Sequence, residues 1–588
     1  MARTTNEGLP NEPIFKQLLA LSGKVNHIVV HDPNNGVDAD HTQLLTDLAR
    51  MRSVLRVSLP RSIFDEAGIF IKEDKPYVFV LSDGNYEFII AALSILSIGA
   101  AVVPLPTGLL PEEALQIARR CESGTILAGQ DHLQTAKGIE EYASSHGLPI
   151  TVLPIHINTP PDIDLKSPEL AWNPDLKISA ARPGLLLFTS GSTGPPKGVV
   201  HARRLFYELQ KGSSPDDVFL SHRPPHWAGA VLPLLRHVLA GSRIEVTVSE
   251  PSVLWKRLRA GGVTSLMGPP RLWILMMRYY QDYIALKLPS KEVEQYLHGA
   301  QQLRCARVSG MMPHTALLLF WRDEIGRPLQ VFYNTTELCG GCLSTAPWTE
   351  SDEKQLERCI GRPSPQLTVR LSEGDYGELQ LKCLTMFTHY LGDEEASRAA
   401  FTDDGFYRTG DLVRRVGDDY YIDGRESSGF VKFRGYKVPI LEVEMRLLDL
   451  PFIAEGCILS ATFEDNGGRL AALVRFQAGG VSDADSGYTE VTVPPSDQSC
   501  LKFLQDNLAA SLPAYMLPTM LRVLQDREEI PRSDSLKVLR RQAVEQYFAL
   551  SDDMKLPLDV ECRCVDQDVL TRPPKAWDWG GLQSTGKF

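Results

Sequence analysis

The stretch Leu185-Leu-Leu-Phe-Thr189-Ser-Gly-Ser-Thr-Gly194-Pro-Pro-Lys197-Gly198-Val-Val constrains this chain more than any other. Four apolar residues read as a buried strand and pass without a break into a run of small and hydroxylated residues. Small residues let backbone N–H groups approach an anion closely, hydroxyls add donors, and Lys197 adds a fixed positive charge. Such a loop at a strand end reads as a phosphate cradle rather than a flexible turn. It is not the Walker type, because no Gly-Lys-Ser/Thr opens a helix at the required spacing.

The surrounding pattern fits an α/β frame. Strand-like runs occur at Tyr77–Ser82, Ala101–Leu105, Gly184–Phe188, Ile244–Val248, Val263–Gly268 and Val331–Tyr333, with amphipathic stretches such as Pro111–Cys121 between several of them. That alternation predicts layers built on mostly parallel strands. Phe88 begins the longest uncharged stretch, but Gly99, Pro104 and Pro106 interrupt it. A span needs about 20 apolar residues, so a buried helix (Glu87 to Ile98) and a short strand (Ala101 to Val103) are expected instead. Near Tyr376 the texture changes to short strands without long helices, a small antiparallel subdomain. Glu426–Gly429 reads as a linker to a second mixed unit, which a polar insertion from Gly479 to Ser499 splits.

Composition narrows the function. Lys+Arg is 61 against Asp+Glu 73, for a net charge of −12 and no basic block, so nucleic acid is not an expected partner. An acidic chain that handles a polyanion must concentrate its cations locally. The ten cysteines are scattered, and Cys339-Gly-Gly-Cys342 lacks a second pair at zinc-finger spacing, so packing thiols are expected. The opening residues carry no apolar core and the end, Ser-Thr-Gly-Lys-Phe588, is no peroxisomal address; a cytoplasmic protein without a membrane span is expected.

Further motifs follow in order: Ala92-Leu-Ser-Ile-Leu-Ser-Ile-Gly-Ala-Ala-Val-Val-Pro-Leu-Pro106, Tyr333-Asn-Thr-Thr-Glu337, Tyr407-Arg-Thr-Gly-Asp411, Asp423-Gly-Arg425, Lys432-Phe-Arg-Gly435, Leu512-Pro-Ala-Tyr-Met-Leu-Pro518 and Pro531-Arg-Ser-Asp-Ser-Leu-Lys537. Together with the glycine-rich loop, this set resembles the adenylate-forming superfamily, in its AMP-dependent acyl-CoA synthetase branch, over roughly residues 75 to 545. The resemblance implies an α/β, multi-domain chain. Residues 1–424 would form a large N-terminal domain of layered α/β subdomains plus a small antiparallel β-barrel-like subdomain. A hinge at 425–429 would lead to a smaller mobile α+β C-terminal domain at 430–548 and a loosely structured tail at 549–588.

The implied activity is ATP-dependent adenylation of a carboxylic acid, followed by transfer of the acyl group to coenzyme A. Two anions must meet, so catalysis rests on orientation, cations and oriented donors. By resemblance, Thr189, Ser190, Gly191, Ser192, Thr193, Gly194 and Lys197 would hold the β- and γ-phosphates. Thr336 would contact the α-phosphate and Glu337 would help hold Mg²⁺, with Gly310, Tyr333, Asn334 and Thr335 completing the nucleotide site. Asp411 and Arg425 would bind the ribose. Lys537 would reach over from the small domain to bridge the carboxylate and the α-phosphate, and Gly435 would line the path of coenzyme A. His226, Trp227 and Met311 would border the acyl pocket.

Departures from the family pattern fall at Ser427 and Ser428, where the hinge usually carries a charge, at Asn334 for a glycine, and at Leu536 for the glycine before the lysine. They keep open a nucleotide-binding relative without turnover. The stretch after Phe548 is too short for a fused carrier domain of roughly 80 residues. Coenzyme A is therefore the expected acceptor and a separate carrier protein the alternative. The acid itself stays open, with specialised metabolism as the expected setting and Arg271 as either a surface arginine or a partner for a second carboxylate.

Overall fold

The computed structural model describes residues 8–74, 76–158, 170–189, 196–339, 343–346, 356–425, 429–433, 436–463, 467–477, 499–533, 536–550 and 556–563. Among these, the strands group into three sheets. The first sets Thr151–Pro154, Thr125–Ala128, Tyr77–Leu81, Ala101–Pro104 and Pro183–Phe188 side by side in parallel, then adds Gly198–Ala202 antiparallel to the last. The second runs parallel through Val30–Asp32, Arg243–Val246, Val218–Ser221, Ser265–Gly268, Cys305–Ser309 and Gln330–Tyr333.

Apolar alternation stacks these sheets. Val78 and Val80 face one core while Tyr77, Phe79 and Leu81 face another, as the period of two along a strand requires. Between the sheets lies the helix Tyr86–Ser97, every residue of which is buried, capped by the Asn85 side chain accepting from Phe88 N–H. Helices Pro111–Cys121 and Leu133–Ser145 cover the far face of the first sheet. Pro251–Arg259, Pro270–Tyr279, Ser290–Gln301 and Thr315–Asp323 cover the outer face of the second. The six expected strand runs and the Glu87-to-Ile98 helix thus appear within a residue or two of their expected limits.

The antiparallel strands expected after Tyr376 are continuous with the second sheet. Leu343–Ser344 and Cys359–Pro363 carry it from Tyr333 into Asp419–Arg425, Tyr407–Val416, Tyr376–Lys382 and Thr368–Glu373. This continuity sets Asp411 opposite Arg425 in the ladder. Of the linker, Gly429 N–H donates to Arg425 O at 2.7 Å. A Cβ on Gly429 would lie 2.2 Å from Arg425 N, so only glycine fits this turn.

The smaller α+β unit packs Ile440–Leu448, Cys500–Leu508 and Arg540–Tyr547 on a sheet built around Ile453–Phe463 and Gly467–Phe476. It extends past residue 548. Val560–Cys562, expected in a loose tail, pairs antiparallel with Met520–Val523. Glu561 accepts from Ser499 Oγ and from the N–H groups of Cys500 and Leu501, closing the helix N-terminus with a carboxylate. Among the described residues no helix is long and apolar enough to cross a membrane.

Candidate active site

Open α/β sheets bind ligands at the carboxyl ends of their strands, and Thr189, Gly310 and the Asn334–Glu337 turn follow such ends, at Phe188, Ser309 and Tyr333. Phe188 leads into Thr189, whose N–H donates to Lys197 O at 2.9 Å while its hydroxyl accepts from Lys197 N–H at 3.3 Å. The loop is thereby pinned at its base; Ser190, Gly191, Ser192, Thr193 and Gly194 lie outside the described residues. Lys197 Nζ sits 4.9 Å from the centre of the Tyr390 ring. Tyr390 Oη donates to Glu337 Oε1 at 2.9 Å. One tyrosine therefore ties the phosphate loop to the proposed metal ligand.

Past Tyr333 the chain folds into a tight turn. Asn334 Oδ1 accepts from Thr335 N–H at 2.8 Å, and Thr335 O accepts from Leu338 N–H at 3.2 Å. His201 Nε2–H donates to Thr336 O at 2.9 Å from the neighbouring strand. Burial lowers the His201 pKa to about 4, so the ring is a neutral donor that fixes Thr336 from below. Nothing around Val199-Val-His201 in the sequence marks that role. Cys339 Sγ–H also reaches Thr336 O, at 3.1 Å, and burial pushes its thiol pKa well up, which fits a packing thiol. Cys342 lies outside the described residues.

The residues expected at the ribose are joined directly. Tyr333 Oη donates to Asp411 Oδ2 at 2.5 Å, and Arg425 Nε lies 3.5 Å from Asp411 Oδ1. Arg425 Nη2 donates to Thr409 O at 3.1 Å, which holds the guanidinium flat along the strand. Burial raises the Asp411 pKa, while Arg425, Tyr333 and Lys537 oppose the rise. Gly310 takes the left-handed φ of +94° at its strand end, and a Cβ there would meet nothing within 4 Å; the position demands glycine for backbone angle alone.

Lys537 arrives from the small domain. Burial and Arg425 lower its pKa, and the carboxylates of Asp411 and Glu337 pull the other way, so its ammonium feels all three groups at once. The lysine rides a hairpin closed by Ser533 N–H to Lys537 O at 2.8 Å and Leu539 N–H to Pro531 O at 2.8 Å. Leu536, which departs from the family pattern, holds φ at +62°. The turn keeps the left-handed geometry that glycine supplies freely and makes leucine adopt it. Thr189 is thus linked to Glu337 through Lys197 and Tyr390, and the charge of Lys537 senses Glu337, whereas Gly435 lies outside the described residues.

The residues expected to border the acyl pocket lie near a cavity without lining it. His226 packs edge-on against Trp227, with ring centres 5.3 Å apart, and Met311 is half-buried in the turn after Gly310. A cavity of about 440 Å³ opens just beyond them, lined by Ala228, Gly229, Met267, Phe332, Asn334 and Cys339 among others, but not by those three side chains. Arg271 donates instead to Glu455 Oε1 at 2.6 Å, so it is a contact between domains.

One carboxylate beside a phosphate loop suits Mg²⁺, which keeps several waters and is held by one or two carboxylates plus substrate phosphates. Among the described residues no group of three or more His, Cys, Asp or Glu is placed to hold a metal alone. Glu337 fits the part of a single protein ligand to a nucleotide-borne ion.

Comparison with known proteins bears on the family and the fold. The AMP-binding enzyme family matches residues 64–383. The acyl-CoA ligase oryP of Aspergillus oryzae is 34% identical over 555 residues, covering 92% of this chain and 93% of that protein. The malonate–CoA ligase of Arabidopsis thaliana is 26% identical, covering 79% of this chain and 76% of that one. Among solved structures, ATP-bound MatB from Rhodopseudomonas palustris superposes with a TM-score of 0.70 at 18% identity, covering 92% of this chain and 99% of its own. The anthranilate CoA ligase AuaEII, in complex with anthranoyl-AMP, gives 0.71 at 17%, with 92% and 98% covered. The chain belongs to the AMP-binding enzyme family.

Proposed function

We propose that this protein is an AMP-forming acyl-CoA ligase: it adenylates a carboxylic acid with ATP, then passes the acyl group to coenzyme A. The observation that carries the reading is Lys537, a cation on a small-domain hairpin whose charge senses Asp411, Glu337 and Arg425 of the large domain. A carboxylate and an α-phosphate repel each other, and an ammonium between them lowers that barrier most in a site shielded from water. Thr189, Lys197 and the intervening loop would orient the outer phosphates, Thr336 the α-phosphate, and Asp411 with Arg425 the ribose. Mg²⁺ held by Glu337 would neutralise phosphate charge.

The second half-reaction needs the lysine to leave so that a thiol can enter, which a swing about the 425–429 segment would provide. The relatives' names support coenzyme A as acceptor. Free thiols at Cys121, Cys305 and Cys457, with no membrane-crossing helix among the described residues, support the cytoplasm as the compartment. Purified protein with Mg²⁺, ATP, coenzyme A and a panel of carboxylic acids should release pyrophosphate and form a CoA thioester. Thioester on a phosphopantetheinylated carrier, and none on coenzyme A, would reassign the acceptor; no pyrophosphate with any acid would remove the reading.

A further inference from the structure

The 440 Å³ cavity follows the second sheet from one end of its strands to the other, under the helix Ala228–Ala240. It begins at Asn334 and Cys339, which flank Thr336 and Glu337 in the chain. Register orders its floor. Phe332 sits opposite Ser309; Met267, Arg307 and Gln330 form the next row, and Ser265 and Cys305 the row beyond. From the level of Ser309 back to Cys305 is roughly 13 Å, the length of about ten extended carbons. The helix returns over this floor against the strand direction, as a parallel crossover demands. Gly229 and Leu232 therefore cover the near rows and Arg236 the far ones.

The two halves differ in chemistry. Near the start the lining is apolar, with Leu232, Met267 and Phe332 around the small Gly229. Beyond the Arg307 row it turns polar and carries no bulky apolar side chain: Ser265 gives way to Asp217, Arg304 and Ser213. The far end lies at the protein surface. Gly212 is exposed there, and Arg304 is half-exposed while it pairs with Asp217 at 2.8 Å. A pocket that limits chain length needs a bulky side chain across its end, and the described lining supplies none. An alkyl chain lying in the far half would strip water from Ser213, Gln330 and the Asp217–Arg304 pair and return no hydrogen bond, a cost that a polar chain avoids.

We propose that this cavity is a channel open to solvent at its far mouth, and that the acid being activated is apolar next to its carboxyl group and polar beyond, with its distal end emerging between Ser213 and Arg304. This rests on the ligase reading and adds the class of acid. The apolar part covers the two rows from Ser309 to Arg307, the reach of about five carbons. The outer part carries oxygen or nitrogen groups that keep the polar lining hydrogen-bonded. Such a channel selects by polarity along the chain and sets no upper limit on length.

The test measures pyrophosphate release by the full chain with two series of monocarboxylic acids of increasing length: straight alkyl acids, and acids with a short alkyl segment followed by ethylene glycol units. Once both exceed the channel, the glycol acid should show a kcat/KM roughly tenfold above the alkyl acid of the same length, with no fall as further units are added. Ser213→Trp sets a bulky ring in the far mouth and should lower kcat/KM for the longest glycol acid, relative to the shortest, about tenfold. An ATP-induced rise in melting temperature, retained in the variant, shows that it is folded; were it not, the length series of the natural sequence decides alone. Alkyl acids used equally or better at every length, a sharp loss for glycol acids longer than the channel, or an unchanged long-to-short ratio in folded Ser213→Trp would each overturn the inference while leaving the ligase reading intact. No release with any acid would overturn both.

Discussion

Arg271 of the large domain donates to Glu455 Oε1 of the small domain at 2.6 Å, and Arg532, in the hairpin that carries Lys537, reaches the same oxygen at 3.1 Å. One carboxylate therefore ties the lysine's hairpin to the opposite domain. Arg532 Nη1 also donates to Leu536 O at 3.0 Å, so the tie runs to the residue next to Lys537. The bridge belongs to this arrangement of the two domains, and a swing of the small domain would break it.

Glu455→Gln should then slow acid-dependent pyrophosphate release by roughly tenfold, the worth of one charge-assisted contact, and slow thioester formation from preformed acyl-adenylate much less. Single-turnover kinetics of the two half-reactions measure this; equal losses would show that the bridge only stabilises the fold. Burial pushes the Glu455 carboxyl up, and Arg271 and Arg532 more than offset it, so it settles below the usual carboxylate range. The bridge is therefore intact at neutral pH and is lost as pH falls through that lowered value.

Lys537 predicts the alkaline side. Burial and Arg425 lower its pKa despite Asp411 and Glu337, so it sheds its proton sooner than an ordinary lysine as pH rises. The kcat/KM for ATP in the adenylation step should fall along an alkaline limb set by this group, because that ratio reports the free enzyme. Lys537→Ala should lower adenylation about 100- to 1,000-fold and abolish the limb. A limb unchanged in Lys537→Ala would assign it to another group.

Leu536 stores strain at φ +62°. A left-handed residue costs about 1–2 kcal/mol, and glycine relieves this while adding roughly 0.5–1 kcal/mol of chain entropy to the unfolded state. Leu536→Gly should therefore be neutral or stabilising by up to about 1 kcal/mol, whereas Leu536→Ile, β-branched in the same geometry, should lose about 1 kcal/mol or more. Denaturant unfolding of the full chain gives both values; a large loss in Leu536→Gly would mean that the side chain's packing outweighs the strain.

Glu337 is oriented by Tyr390, and both act on the same ion in this account. Glu337→Gln should raise the Mg²⁺ concentration for half-maximal adenylation by at least the roughly 10- to 100-fold expected for losing an outer-shell partner, and Tyr390→Phe by less. Magnesium titrations of pyrophosphate release check the order. An unaltered Mg²⁺ requirement in Glu337→Gln would place the ion elsewhere.

The parallel strands were legible because a strand buried on both faces must be apolar along its length, as at Tyr77–Leu81 and Pro183–Phe188. The candidate site residues could be named because the motifs from Thr189 to Lys537 follow one another in a chemistry-bearing order. What escaped is tertiary. His201 supports Thr336 across 135 residues, and Arg271 meets Glu455 across 184, separations that no local period reports. The Val560–Cys562 strand was hidden inside polar sequence, since its pairing is set by the edge of Met520–Val523 rather than by its own propensity.

The most direct measurement is acid-dependent exchange of labelled pyrophosphate into ATP without coenzyme A, comparing the natural sequence with Lys537→Ala. The account predicts exchange that requires a carboxylic acid and Mg²⁺, collapses in the variant, and gives way to a thioester once coenzyme A is added. Exchange of equal rate in both proteins would contradict it, because the ammonium between the two anions would then contribute nothing.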